Sequence, residues 1–136
     1  MEDNYPKYNI GKIGELTAEK YLKSKKYKIL EKNYFLKTKT NIKLGEIDIV
    51  AKKNNTIVFV EVKAINKEKG IGFRPEDKVN KSKKRKLIIT ATKWLQKNKL
   101  PLTTDHQIDI IAIELNLERK SAKLRHYENA IENKKY

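Results

Sequence analysis

Apolar positions along this chain recur with two different periods. Between Asn9 and about Lys25, the residues Ile10, Ile13, Ala18, Tyr21 and Leu22 fall on one stripe at helical spacing. That spacing predicts an amphipathic helix with Asn9 as its N-cap. The stretch "KILEKNYFL", Lys28 to Leu36, reads as a strand, and so do Gly45 to Ala51 and Thr56 to Lys63. The last of these is β-branched and aromatic, as strands tend to be. Asn54-Asn55 between the second and third strands predicts a tight turn, because Asn tolerates the left-handed backbone. A second helix is predicted from about Val79 to Asn98, burying Leu87, Ala91, Trp94 and Leu95. "QIDIIAIEL" is apolar on both parities and predicts a strand covered on both faces. A last strand, around Ala122 to His126, is peripheral. The order α-β-β-β-α-β-β predicts one α/β domain, a central mixed β-sheet flanked by helices in three layers. That domain spans 9–127, with a polar N-terminal stretch at 1–8 and a polar tail at 128–136.

Charge interrupts this pattern at one place. With Asn54-Asn55 at the turn, Lys53 faces Thr56, and the same register sets Asp48 opposite Glu61 and Glu46 opposite Lys63. Because side chains alternate faces, these four charged residues share one face, while Ile47, Ile49, Val58, Val60 and Val62 share the other. Opposed like charges destabilise a strand pair, and neighbouring carboxylates in a partly buried site push one pKa upward. A divalent cation reverses both effects. A salt bridge from Lys63 to Glu61 or Glu46 accounts for one pair, not for three acids and a lysine together.

Composition narrows the chemistry. The chain of 136 residues is long enough for one domain with a real core. It has no cysteine, and His106 and His126 alone do not build a zinc site. A metal here would be held by oxygen, which selects Mg²⁺, Mn²⁺ or Ca²⁺. The net charge is +15, with 32 Lys and Arg against 17 Asp and Glu. That excess points to a polyanionic partner, nucleic acid ahead of a membrane surface. Lysine dominates it, and biased genomic composition also produces lysine-rich chains. No apolar run approaches the roughly 20 residues that span a bilayer, and MEDNYPKYNI lacks the form of a signal peptide. A cytoplasmic protein without membrane contact is the expectation.

The spacing Asp48…Glu61-Val62-Lys63 resembles the D…ExK core of the PD-(D/E)xK restriction-endonuclease-like superfamily. More narrowly, "GKIGELTAEKYL", "NY", "GEIDIVA", "FVEVK", "KVNKSKKRKL" and "IDIIAI" resemble, in order, the YraN family of endonuclease-like proteins, itself similar to archaeal Holliday-junction resolvases. The resemblance implies a metal-dependent nuclease acting on DNA, with branched or structured DNA as a substrate class. It implies Asp48 and Glu61 as ligands of Mg²⁺ or Mn²⁺, with the Val62 carbonyl as a further ligand. It also implies Lys63 as catalytic lysine, Glu15 as the first-helix acid near the metal, and a homodimer. Where such proteins often carry Thr-Arg after EVK, this chain has Ala64-Ile65. A nucleic-acid-binding module that keeps the fold without turnover is the alternative.

Three further features complete the expectation. Gly11 and Gly14 weaken the first helix, a cost that close packing or substrate approach would justify. Lys81, Lys83, Lys84 and Arg85 open the second helix and are candidates for phosphate contact. Lys81 and Lys83 are the better placed, since a helix N-terminus favours anions; Lys84, Arg85 and Lys86 face solvent or phosphate. The glycine-bearing stretch from Gly70 to Pro75 is a candidate for closing on a substrate backbone.

Overall fold

The structure, a computed structural model, describes residues 9–67, 74 and 79–131. The polar stretch at 1–8 and residues 132–136 of the polar tail lie outside the described residues, as does the Gly70 to Pro75 segment apart from Arg74.

The elements follow the expected order: α1 (Ile10–Ser24), β1 (Lys28–Lys37), β2 (Lys43–Lys53), β3 (Thr56–Asn66), α2 (Lys81–Lys97), β4 (His106–Asn116) and β5 (Ser121–Tyr127). Both helices begin where an asparagine oxygen satisfies an orphan amide. Asn9 Oδ1 accepts from Lys12 N–H at 3.1 Å and Asn80 Oδ1 from Lys83 N–H at 3.0 Å. Asn54 takes the left-handed conformation, φ 54°, that the β2–β3 turn requires.

The sheet runs β1-β2-β3-β4-β5, with β3 and β4 parallel and the other pairs antiparallel. A parallel pair needs a crossover, and α2 belongs to that connection. On one face Ala18 and Leu22 of α1 cover Ile49, Val58, Val60 and Ile111. On the other, Leu87, Trp94 and Leu95 of α2 cover Ile57, Phe59 and Ile110. These are three layers around one mixed sheet. β4 is the strand covered on both faces, buried continuously from Ile108 to Ile113.

Two details depart from the expected pattern. Ile47 does not share the α1 face with Ile49; it packs with Tyr34, Phe59 and Trp94 under α2. The alternation of faces in β2 therefore breaks between Ile47 and Ile49, opposite Asn33 of β1, whose φ is 55°. The packed chain also runs past residue 127. Asn129 N–H bonds to Asp109 Oδ1 at 2.9 Å, Ala130 N–H bonds to Ile108 O at 2.8 Å, and Ile131 is buried.

Candidate active site

The β2–β3 ladder keeps the register expected from its turn over Lys53↔Thr56, Lys52↔Ile57, Ala51↔Val58, Val50↔Phe59 and Ile49↔Val60. There it ends. β3 continues beside β4 to Asn66↔Leu115, and β2 continues beside β1 to Lys37↔Lys43, so the two strands part like the arms of a fork. Asp48 and Glu61 are therefore not a ladder pair, as simple extension of the register implied. Asp48 Oδ2 takes the place of a backbone acceptor, receiving Val62 N–H at 2.7 Å. The Glu61 carboxyl group lies near enough to raise the pKa of Asp48.

A depression of about 310 Å³ occupies the fork, lined by Asp48, Glu61, Val62 and Lys63 together with Glu46. Val62 lines it although its side chain belongs to the apolar cluster under α1, so its backbone is what faces the fork. An extended residue turns its N–H and C=O toward the same neighbouring strand. The Val62 carbonyl is accordingly directed to the side where its N–H meets Asp48.

The electrostatics of this pair are unfavourable without a cation. Asp48 is 8 % exposed. Burial pushes its carboxyl up to about 9, the hydrogen bond and charge of Glu61 push the same way, and the Val62 amide opposes them. Asp48 thus retains a proton that a free carboxylate would lose. A hard divalent cation fits this donor set, two carboxylates and a backbone carbonyl in an open depression, and replaces the proton.

Glycines set the distance of both helices from the fork. A Cβ on Gly14 would stand 2.5 Å from Ala64 Cβ, so α1 lies directly on β3 because residue 14 has no side chain. The close packing expected of Gly14 is present; at Gly11 a Cβ would meet only Asn9 Oδ1, at 3.4 Å. Glu15 follows Gly14, and its carboxyl is raised by burial first, then by the charges of Asp48 and Glu46. It acts on the pair through its field. Among the described residues, the only three ligand-bearing side chains within 4.8 Å of one another are Asp109, His126 and Glu128, so Glu15 does not close a third position beside Asp48 and Glu61. A Cβ on Gly45 would collide with Thr90 Oγ1, so α2 lies equally close to β2.

That approach brings Lys83 and Lys86 to the wall of the depression. The other candidates of this run divide from them. Lys81, Lys84 and Arg85 line a separate groove with Ile88 and Ile131. Lys86 was expected at solvent or phosphate and belongs to the site wall; its spacing of three from Lys83 is the signal that places both on one helix face.

Sequence reasoning did not assemble the network beneath β5. His126 Nε2 lies 2.7 Å from Asp109 Oδ2 and His126 Nδ1 lies 2.9 Å from Tyr21 OH. Asp109 Oδ1 also accepts from Gln107 Nε2 and Asn129 N–H. The ligand atoms of Asp109, His126 and Glu128 are close enough to hold a metal ion. Their atoms are already engaged, however: both nitrogens of His126, both oxygens of Asp109, and Glu128 Oε1 with Tyr27 OH at 3.3 Å. Asp109 and His126 stand 17 residues apart on neighbouring strands, and only the β4–β5 register brings them together.

Similar proteins share this chain over most of its length. The model of a family described as "Uncharacterised protein family UPF0102" matches residues 14–113. A UPF0102 protein of Alkaliphilus oremlandii is 40% identical over 121 residues, covering 89% of this chain and 96% of its own. One from Clostridium beijerinckii is 37% identical over 123 residues, with 90% and 92% covered. One from Geotalea uraniireducens is 36% identical over 131 residues, with 96% and 95% covered. The matched span holds Glu15, Asp48, Glu61, Lys63, Lys83 and Lys86. The chain belongs to the uncharacterised family UPF0102, the endonuclease-like YraN group that its motifs resemble.

Proposed function

We propose that this protein is a Mg²⁺- or Mn²⁺-dependent endonuclease that hydrolyses DNA phosphodiester bonds, with branched or structured DNA as its substrate. One observation carries the reading: Asp48, Glu61, Val62 and Lys63 line one depression at the mouth of a strand fork. Asp48, Glu61 and the Val62 carbonyl would hold the cation. When bound, the cation supplies Lewis-acid polarisation of a phosphate and offsets its charge. Glu15 and Glu46 add negative potential that strengthens the cation's binding. Lys63 would orient an attacking water and steady the negative charge that develops on the phosphate oxygens. Lys83 and Lys86 line the opposite wall and would hold neighbouring phosphates as point charges. In-line attack by water breaks one P–O bond and leaves a 5′-phosphate, as in the superfamily the motifs resemble.

The test is incubation of purified protein with labelled linear, single-stranded and four-way-junction DNA in Mg²⁺, Mn²⁺ or EDTA, beside Glu61→Ala. Metal-dependent cutting that the variant loses supports the reading. Cutting that persists in EDTA or in Glu61→Ala refutes it. Salt-sensitive binding with no cutting leaves a non-catalytic binding module on the same fold.

A further inference from the structure

The hairpin that forms one arm of the fork carries three exposed apolar residues near its turn. Phe35 is 42 % exposed, Leu44 47 % and Ile42 62 %, all near the turn that joins β1 to β2. That end is built rather than loose. Thr38 N–H bonds to Ile42 O at 2.8 Å, and Ile42 N–H bonds to Thr38 Oγ1 at 3.0 Å. Exposed apolar area held on an ordered hairpin has an unfavourable exposure to water that a ligand would remove.

Phe35 is tied to the candidate site. It is the register partner of Glu46, which lines the depression. The Lys43 ammonium lies 4.6 Å from the Phe35 ring centroid and 2.7 Å from Glu46 Oε2, and Lys37 lies 5.9 Å from the same ring. Leu44 and Lys43 themselves line the depression. Glu46 precedes Asp48 by two residues, about 7 Å along a strand at roughly 3.3 Å per residue. Successive nucleotides of a stacked strand are about 3.4 Å apart, so the ring stands only two or three nucleotides from a phosphate at Asp48 and Glu61.

Resting on the endonuclease reading above, we propose that Phe35 is a stacking platform for an unpaired base, which makes single-stranded segments beside a duplex the preferred substrate. Both ammonium groups lie over the Phe35 ring in the free protein, so a stacking base takes a ring face from a flexible lysine and offers that cation its phosphate in exchange. A paired base has its faces covered within the duplex stack, so a ring on a protein surface reads bases that are already unpaired. The lysines at this end and the net charge of +15 favour an anionic occupant and repel a second copy of the chain.

The experiment compares equilibrium binding, in EDTA at low salt, of a duplex with a single-stranded tail and a blunt duplex of equal phosphate count. Wild type is expected to favour the tailed DNA by about tenfold, the size of one stacked base. Phe35→Ala is expected to bring tailed binding down to the blunt level, and Phe35→Trp to keep the preference. The slope of log affinity against log salt should be the same in Phe35→Ala as in wild type, since every ammonium group that meets a phosphate is still present. A preference that persists in Phe35→Ala overturns the proposal. Equal binding of both DNAs by wild type also overturns it while leaving the endonuclease reading intact. A wild type that binds neither DNA overturns the proposal, and the cleavage assay in Mg²⁺ or Mn²⁺ decides the endonuclease reading separately. If Phe35→Ala instead converts a dimer to a monomer in sedimentation, with the binding ratio unmoved, the patch is a self-association surface and the proposal fails.

Discussion

Asp48 is a buried carboxyl group under opposing forces. It accepts the Val62 amide, which favours its charged form, while burial and Glu61 favour the neutral one. The neutral form prevails, its pKa moving from 3.8 to about 9. Between those values the folded protein holds a proton that the unfolded chain releases, so stability without metal falls as pH rises through that window. A divalent cation takes the proton's place. Urea midpoints measured against pH should therefore decline in EDTA from about pH 4 to about pH 9, and the decline should flatten in excess Mn²⁺. Asp48→Asn keeps an oxygen for the Val62 amide and discards the charge. The variant should be at least as stable as wild type in EDTA at pH 8 and should lose the thermal shift given by Mn²⁺. Its cleavage of DNA should drop on the order of a hundredfold or more, the scale of removing one preorganised electrostatic interaction. A Mn²⁺ shift of wild-type size in this variant would place the ion elsewhere. The Asp109–His126–Glu128 group is then the next location to test.

At the scale of elements, two glycines bring the helices onto the sheet, and their effects are opposite to their propensities. Alanine at either Gly11 or Gly14 adds up to about 1 kcal/mol of helix propensity. At Gly11 nothing stands in the way, and thermal unfolding of Gly11→Ala should show unchanged or increased stability. Gly14→Ala drives a methyl into Ala64, and overpacking of this kind costs about 1–3 kcal/mol. Its melting temperature should fall and its cutting should fall further, because Glu15 retreats from Asp48 with the helix. Gly45→Ala should be destabilised likewise, and adding Thr90→Ala, which removes the colliding oxygen, should recover part of the loss. Much at this scale was legible in the chain: both helices with their asparagine caps, the Asn54 turn, and the covered strand β4. The departure at Ile47 was not, because a parity argument assumes regular alternation along β2, and that alternation breaks between Ile47 and Ile49.

For the whole molecule, the distribution of charge matters more than its sum. The excess of +15 predicts binding to polyanions but not where. α2 divides its basic run between two surfaces, Lys83 and Lys86 at the fork and Lys81, Lys84 and Arg85 on the groove beside Ile131. Lys83→Ala with Lys86→Ala should reduce DNA affinity and lower the salt slope by roughly 1–2, about one unit for each phosphate no longer neutralised. Lys84→Ala with Arg85→Ala should change that slope less. Titration of the variants across salt concentrations separates these outcomes, and equal losses from both pairs would mean that the polyanion covers both surfaces. No helix among the described residues is long and apolar enough to cross a membrane.

The linear chain determined its own elements, their order, and the pairing of β2 with β3 near the turn, since period, capping and turn chemistry are local properties of neighbouring residues. It also brought Asp48, Glu61 and Lys63 into one neighbourhood, because a hairpin converts short separations into proximity. What only the tertiary structure decided is the fork itself. β3 follows its parallel partner β4 while β2 follows β1, and the gap between them gives two carboxyl groups a depression to share. Separations of 17 residues between Asp109 and His126, or of 33 between Glu15 and Asp48, carry no local signal. Those pairs meet because strands from distant parts of the chain find a common register, and because residues without side chains let the helices come close.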